Sequence, residues 1–245
     1  MKNIKIIIEY DGTNYSGWQR QLNQDTIQGE IEKAIFKLTG ENVNLIGSGR
    51  TDAGVHALGQ TANFITDVNI PPDKIKFGLN AFLPHDIRIS DSEEVSLDFH
   101  SRYNVKRKIY KYLIYNRAVK NPFWGRYSYY FPQRLNYELM EREIKYFLGA
   151  HDFTSFSSPK SNSKDKNRII YNALLLKDGD LVMAIFDGNG FLYNMVRIMI
   201  GTLVDIGRGK IAEGQIPFIM KSLDRQRAGH TAPPQGLFLE KVFYE

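Results

Sequence analysis

The sequence predicts an α+β fold, and three observations support this prediction. Strand and helix patterns follow one another irregularly, which argues against a strictly alternating parallel sheet. Two strand patterns, at 168–177 and 181–187, are separated by an Asp-Gly turn and therefore predict an antiparallel hairpin. The chain has 245 residues, of which 42% are hydrophobic, so it can form a sizeable core in one large domain or two small ones.

The first half of the chain contains both kinds of element. β-Branched residues run almost without interruption over 3–10 and predict a buried strand that ends at an Asp-Gly pair. Apolar side chains recur at helical spacing over 26–39, and a glycine follows as a stop signal, so this segment predicts a helix. Residues 71–82 begin with proline and predict a second helix. Extended segments are expected at 42–46, 60–66 and 86–95.

The second half repeats this mixture of strands and helices. Residues 108–116 alternate in polarity and predict a strand, and residues 136–148, which a glycine follows, predict a helix. After the hairpin, two further helices are expected over 191–206 and 211–223. A last strand is expected over 236–243.

Charge is distributed unevenly along the chain. The formal net charge is +5, but residues 1–104 carry 10 basic and 14 acidic side chains, whereas residues 105–245 carry 22 basic and 13 acidic ones. Because the balance reverses near residue 104, we expect a domain boundary there. The prediction is an N-terminal α/β subdomain at 1–104 and a basic C-terminal α/β subdomain at 105–245.

Basic and aromatic side chains are interleaved from residue 105 to residue 134. This stretch has eight basic residues, beginning with Lys106, Arg107 and Lys108, nine aromatic residues and no acidic residue. Basic groups neutralise phosphates and aromatic rings stack on exposed bases, so the composition favours nucleic-acid binding. A basic solvated face above core aromatics would give the same pattern, and this alternative stays open.

Several chemistries are excluded by what the sequence lacks. It has no cysteine, which excludes disulfides, thiolate nucleophiles and cysteine-based zinc sites. The five histidines are scattered singly, and no phosphate-binding glycine motif or serine-hydrolase motif occurs, so we expect no metal. The apolar runs are too short for a membrane span or a signal peptide, and we therefore expect a soluble cytoplasmic protein.

A glycine-rich loop at 47–56, with the sequence GSGRTDAGVH, carries a single carboxylate, Asp52. Glycines allow a ligand to approach backbone and carboxylate closely, which is typical of a functional loop. An Asp beside glycine also commonly binds local backbone amides in a turn. The residues alone leave both roles open.

Arg197 is the one charged residue between 188 and 204, within the predicted helix at 191–206. Apolar side chains surround this helix, so we expect it to be buried on nearly every side. A buried arginine needs a partner or a cavity, although a long side chain can also reach solvent along its own stem. Asp52 is the natural partner, and such a pair would keep that carboxylate ionised and nucleophilic.

The run from Gly49 to Ala57 resembles the catalytic motif of the TruA family of tRNA pseudouridine synthases. Matching segments occur in the family's order along nearly the whole chain, at 9–12, 17–20, 98–102, 108–112, 151–156, 194–197, 201–202 and 236–239. This resemblance implies the pseudouridine synthase fold: two similar α/β subdomains, a long mixed and mostly antiparallel sheet, and a central catalytic cleft.

The resemblance also implies a reaction and its partners. The reaction is isomerisation of uridine to pseudouridine at positions 38, 39 and 40 in the anticodon stem-loop of tRNA, without cofactor or metal. Asp52 is implied as the nucleophile, adding to uracil or to ribose, with Arg197 as its ion-pair partner. Arg50 is implied to hold the extruded nucleotide and Tyr110 to pack on the target base. Members of the family are homodimers.

Two other functions remain compatible with parts of the sequence. A non-catalytic RNA-binding protein of the same fold would explain the basic and aromatic stretch, but it would not need an intact Arg-Thr-Asp loop. A hydrolase that forms an aspartyl intermediate would explain Asp52, but it would need metal ligands or a general base that the sequence does not offer.

Overall fold

A computed structural model describes residues 1–161 and 163–245. The strands of the described chain are β1 (Lys2–Tyr10), β2 (Ile46–Gly47), β3 (His56–Thr66), β4 (Ile87–Val95), β5 (Arg107–Asn116), β6 (Tyr129–Phe131), β7 (Gly149–Asp152), β8 (Asn167–Asp178), β9 (Leu181–Gly188) and β10 (Leu237–Phe243). The α-helices are α1 (Ile27–Thr39), α2 (Pro72–Phe82), α3 (Tyr137–Glu143), α4 (Met195–Gly207) and α5 (Ile216–Ser222). This content confirms the predicted α+β class.

Unit 1 comprises Met1–Lys106 together with Phe238–Glu245. Its strands lie in the order β4-β1-β3-β10, with β2 also paired to β3, and all pairs are antiparallel except that of β10 with β3. Alternate side chains of β1 point into the core, where Ile4, Ile6 and Ile8 are fully buried. Helices α1 and α2 pack beside each other, and α2 packs against β4.

Unit 2 comprises Arg107–Leu237. Its strands lie in the order β5-β9-β8-β7 with antiparallel pairing, and β6 runs parallel beside β5. The predicted hairpin is confirmed as β8 and β9. One sheet face carries the core, with Tyr112 and Phe186 fully buried, and helix α4 is buried along almost its whole length.

The opposite face of the unit 2 sheet is apolar as well. Leu174 and Leu176 of β8 are 42% and 47% exposed, and they pair in register with Ile185 and Met183 of β9, which are half-buried. A sheet with apolar side chains on both faces is typical of one that is covered on both sides.

Helix α1 shows why most predicted elements are confirmed with nearly the predicted bounds. The Thr26 hydroxyl accepts a hydrogen bond from the Gly29 N–H, and Gly40 ends the helix in the left-handed conformation at φ 75°. These are the cap and the stop that the sequence predicts. The charge reversal near residue 104 lies close to the junction of the two units, and the C-terminal residues return to unit 1.

Other predicted bounds were wrong. Of the strand expected at 42–46, only residue 46 is paired, and β2 continues to Gly47; β3, expected at 60–66, begins already at His56. Helix α4 begins at Met195 rather than at 191, because Asn194 has a positive φ of 61° that breaks the helix. Helix α3 ends at Glu143 and continues as a tighter helical turn to Phe147.

The helix expected over 211–223 is reduced to α5, which begins at Ile216, just before a proline in its first turn. The short strands β6 and β7 were not predicted, because a few residues contain too little alternation to identify them. Within the described residues, no helix has the length and hydropathy needed to cross a bilayer.

Candidate active site

The loop that carries Asp52 joins β2 to β3 in unit 1. Asp52 is half-buried, and its carbonyl accepts a hydrogen bond from the Val55 N–H at 3.1 Å, which closes the turn. The backbone after β1 packs directly on this loop. A Cβ at Gly12 would lie 2.0 Å from the Val55 carbonyl oxygen, and one at Gly17 would lie 2.6 Å from that of Thr51. No side chain fits at either position, so the loop rests on bare backbone.

Hydrogen bonds fix the same loop at both ends. The Trp18 N–H donates to the Thr51 carbonyl at 3.1 Å, and the hydroxyls of Tyr10 and Thr51 are 2.8 Å apart. At the other end, Nδ1 of the buried His56 lies 3.1 Å from the Gly12 nitrogen and 3.1 Å from a carboxylate oxygen of Asp11. Thr51 and His56, one on each side of Asp52 in the sequence, are therefore both bound to the backbone or side chains of residues 10–18.

Arg50 lies on the exposed side of the loop. Its Nε donates to Oε1 of Gln19 at 3.2 Å, and the Gln19 amide in turn donates to Oε1 of Gln28 at 2.6 Å. This chain of amides orients the guanidinium while leaving it near solvent. A ligand can therefore meet Arg50 without displacing the core.

Arg197 lies in the first turn of α4 in unit 2. Every other residue of α4 is buried, which confirms the prediction of a helix enclosed on nearly every side. The guanidinium donates from Nε to the Ala232 carbonyl at 2.8 Å and from Nη1 to Oδ1 of Asn194 at 2.9 Å. Because Arg197 lies in unit 2 and Asp52 in unit 1, their pairing stays a prediction.

Tyr110 and Tyr112 are neighbouring inward-facing residues of β5. Tyr110 is 8% exposed and packs edge-on against Phe191, with ring centroids 5.0 Å apart. The Tyr112 hydroxyl donates to the Pro233 carbonyl at 2.7 Å, and burial raises the pKa of Tyr112 well above its ordinary value. The Tyr112 phenol therefore remains neutral at physiological pH, while the Tyr110 ring is a buried aromatic surface packed on Phe191.

The three basic residues at the start of the basic stretch differ in their surroundings. Lys106 is exposed, and Arg107 and Lys108 are half-buried at the beginning of β5. Nε of Arg107 lies 3.5 Å from a carboxylate oxygen of Asp187. Burial raises the pKa of Asp187, and the charge of Arg107 offsets part of that rise. The sequence did not predict this acidic neighbour, since it lies 80 residues further along the chain.

Sequence reasoning missed the groups that hold Arg197, namely Asn194 and the Ala232 carbonyl. It also missed a buried carboxylate on the same helix, Asp205, which lies beside His230. An acidic residue directly after an apolar helical run could have indicated a buried charge. Across the described ranges 1–161 and 163–245, no three histidine or acidic side chains are grouped as a metal site would require.

Comparisons with known proteins match the whole length of the chain. A family model described as tRNA pseudouridine synthase matches residues 6–104 and 144–245. The chain is 52% identical to tRNA pseudouridine synthase A of Caldicellulosiruptor bescii, 51% identical to that of Acetivibrio thermocellus and 49% identical to that of Clostridium acetobutylicum. Each of these matches covers 100% of both chains.

The contact of Gly17 with the Asp52 loop can be tested against a glycine that makes none. Gly17 and Gly40 both have positive φ, at 93° and 75°, but a Cβ at Gly40 meets nothing within 4 Å. We expect Gly40→Ala to cost about 1–2 kcal/mol of unfolding free energy through backbone strain alone. Gly17→Ala should cost at least twice as much, because the Thr51 carbonyl must also move. Denaturant unfolding measures both losses, and equal losses would contradict the contact.

Proposed function

The chain belongs to the tRNA pseudouridine synthase family, and on that premise we propose how its residues carry out the reaction. It is an isomerase that converts uridine in tRNA to pseudouridine. The observation that carries the assignment of roles is the position of Asp52 on a half-buried loop that rests on bare backbone. Hydrolysis through an aspartyl intermediate is not favoured, because the relatives that match the chain over its full length are named tRNA pseudouridine synthase A.

The reaction exchanges one bond of the nucleotide for another. The bond between uracil N1 and ribose C1′ breaks, a bond between C5 and C1′ forms, and a proton is lost from C5 while N1 gains one. We propose that the Asp52 carboxylate is the nucleophile that makes the N1–C1′ bond break, by adding to uracil or to C1′. The detached uracil then rotates before it rejoins through carbon.

Three further residues complete the proposed site. Arg197 pairs with the Asp52 carboxylate and keeps it ionised where water is scarce. Tyr110 provides a flat aromatic surface for the target base, which suits its packing against Phe191. Arg50, oriented by Gln19 and close to solvent, holds the phosphate of the extruded nucleotide.

The substrate region is the anticodon stem-loop of tRNA, at positions 38, 39 and 40. A stacked uridine hides its glycosidic bond, so the enzyme must flip it out, which costs a few kcal/mol. Phosphate contacts from Lys106, Arg107 and Lys108 contribute binding energy that offsets this cost. Because the substrate is tRNA, we place the reaction in the cytoplasm.

We also propose that the active form is a homodimer, joined through the apolar outer face of the unit 2 sheet. Leu174 and Leu176, with Met183 and Ile185 beside them, form a patch that water solvates poorly. A second copy of the same face is self-complementary under twofold symmetry, which is the commonest arrangement of soluble dimers.

The first prediction tests the nucleophile. Asp52→Asn keeps the size of the side chain but removes the nucleophilic carboxylate, so turnover should fall below about a thousandth of wild type while tRNA affinity stays within a few-fold. Mapping of pseudouridine in tRNA incubated with each protein measures turnover. Asp73→Asn, which alters an exposed acid of the same unit, should leave it unchanged. Substantial residual turnover in Asp52→Asn would exclude the proposed role.

The second prediction tests the phosphate contacts. Replacing Lys106, Arg107 and Lys108 by alanine should reduce the slope of log affinity against log salt concentration by about 2–3, close to one for each lost contact. Lys33, Lys37 and Lys74 are exposed residues of unit 1, and their replacement removes the same charge. If the two triple variants show equal slopes in tRNA titrations, the RNA binds elsewhere.

The third prediction tests the ion pair. Arg197→Ala should destabilise the protein by about 3–5 kcal/mol, because it leaves the carboxylate of Asp52 without its counter-charge. Activity should fall steeply at neutral pH and recover partly at higher pH, where Asp52 is again ionised. The double variant with Asp52→Ala should be more stable than Arg197→Ala alone, as denaturant unfolding of all four species will measure. A coupling energy of zero would mean that the two residues do not meet.

The fourth prediction tests the dimer. The wild-type chain should show twice its mass of 28.2 kDa in light scattering, and the double variant Leu174→Lys with Leu176→Lys should show the mass of one chain. Phe218→Lys changes a more exposed apolar residue, which lies on α5, and should leave the mass unchanged. A monomeric wild type, or a dimeric double variant, would contradict the proposed face.

A further inference from the structure

A stretch of irregular backbone at residues 229–232 contacts the guanidinium of Arg197. Nε of Arg197 donates to the Ala232 carbonyl at 2.8 Å, and the Ala232 N–H donates to the Arg197 carbonyl at 3.0 Å. The direction of the guanidinium therefore depends on where Ala232 lies. This stretch belongs to no helix or strand, so side chains must help that backbone bond to set its position.

Helix α4 supplies those side chains. The Thr202 hydroxyl accepts a hydrogen bond from the Gly229 N–H at 2.9 Å. The Asp205 carboxylate meets His230 twice: Oδ2 lies 3.4 Å from its N–H, and Oδ1 lies 3.3 Å from ring Nδ1. The helix and the stretch also touch directly, because a Cβ at Gly201 would lie 1.8 Å from the His230 carbonyl oxygen.

Asp205 is a fixed anchor for this stretch. Its side chain is fully buried, and Arg208 and Lys210 approach it at 2.7 and 3.4 Å. Burial alone would raise the pKa of Asp205, but His230 and Arg208 outweigh this effect and hold the pKa below its usual range. On the far side of the His230 ring, Nε2 lies 3.2 Å from the Tyr129 hydroxyl. The ring therefore lies between the Asp205 carboxylate and the Tyr129 hydroxyl.

We propose that Asp205 and His230 are positioning residues for the isomerisation, which act by placing the Ala232 carbonyl that orients Arg197. This inference rests on the proposed function, since it takes Arg197 to be part of the site. When His230 is replaced, Arg208 and Lys210 still lie beside Asp205 at 2.7 and 3.4 Å, so the carboxylate keeps two cationic neighbours. Removal of His230 therefore tests the placement of residues 229–232 more directly than it tests folding.

The experiment measures kcat and KM for tRNA in a series of variants at His230. His230→Ala should lower kcat about ten-fold, while KM stays within two-fold. The reason is that a guanidinium of Arg197 displaced by a fraction of an ångström stabilises the Asp52 carboxylate less well. His230→Asn should recover most of kcat, since its amide N–H lies near the position of Nδ1 and still meets Asp205. His151→Ala removes another histidine of unit 2 and should change neither constant.

A second background separates positioning from a general loss of structure. Lysine at position 197 lacks the Nε–H that binds Ala232, so His230→Ala should cause no further loss of kcat in Arg197→Lys. An unchanged kcat in His230→Ala, no recovery in His230→Asn, or a full additional loss in Arg197→Lys would each overturn the inference. Wild-type activity in Arg197→Ala would overturn the proposed role of Arg197 itself. Reduced activity in Arg197→Ala with any of the three results above would overturn only the positioning role of Asp205 and His230.

Discussion

In both units, a glycine lets one stretch of backbone approach another so closely that no side chain would fit between them. At Gly17 the neighbour is the Thr51 carbonyl, and at Gly201 it is the His230 carbonyl. Repulsion between atoms rises steeply with approach, whereas a hydrogen bond tolerates tenths of an ångström of stretch. A loop that rests on bare backbone is therefore placed more sharply than one held by hydrogen bonds alone. The proposed site residues depend on this packing, because it fixes the Asp52 loop in unit 1 and the backbone that supports Arg197 in unit 2.

Helix α4 carries two charges in an otherwise apolar sequence, and their surroundings differ. Asp205 is fully buried and is met by two cations and a histidine. Arg197 is half-buried and is bound through neutral oxygens of Asn194 and Ala232. These two oxygens are neutral acceptors that orient the guanidinium from within unit 2. Because ion pairs in an apolar interior add little net stability, the value of such charges lies in the arrangement they impose.

Local patterns predicted the elements, but contacts between distant residues could not be read from them. Helix α1 begins after Thr26 and ends at Gly40 as expected, because helix caps act through neighbouring residues. The burial of α4 was also predictable, since apolar periodicity is a local pattern. Glycine spacing singled out the Asp52 loop but left the role of Asp52 open. The support of Arg197 by Ala232 was not predictable, because it joins residues 35 positions apart through a backbone carbonyl that every residue has. Side-chain identity carries no information about such a contact.

The way in which Arg197 is held determines what it can offer to a carboxylate. A guanidinium is planar, so two hydrogen bonds made within its own unit, from Nε and Nη1, define both the position and the tilt of the plane. Its orientation is then set before any substrate arrives, and little conformational entropy is lost when a further partner binds. A lysine ammonium has no plane and would have to be oriented by that partner itself. This difference explains why an arginine suits the start of α4, where Asn194 and the Ala232 carbonyl orient the cation from within its own unit.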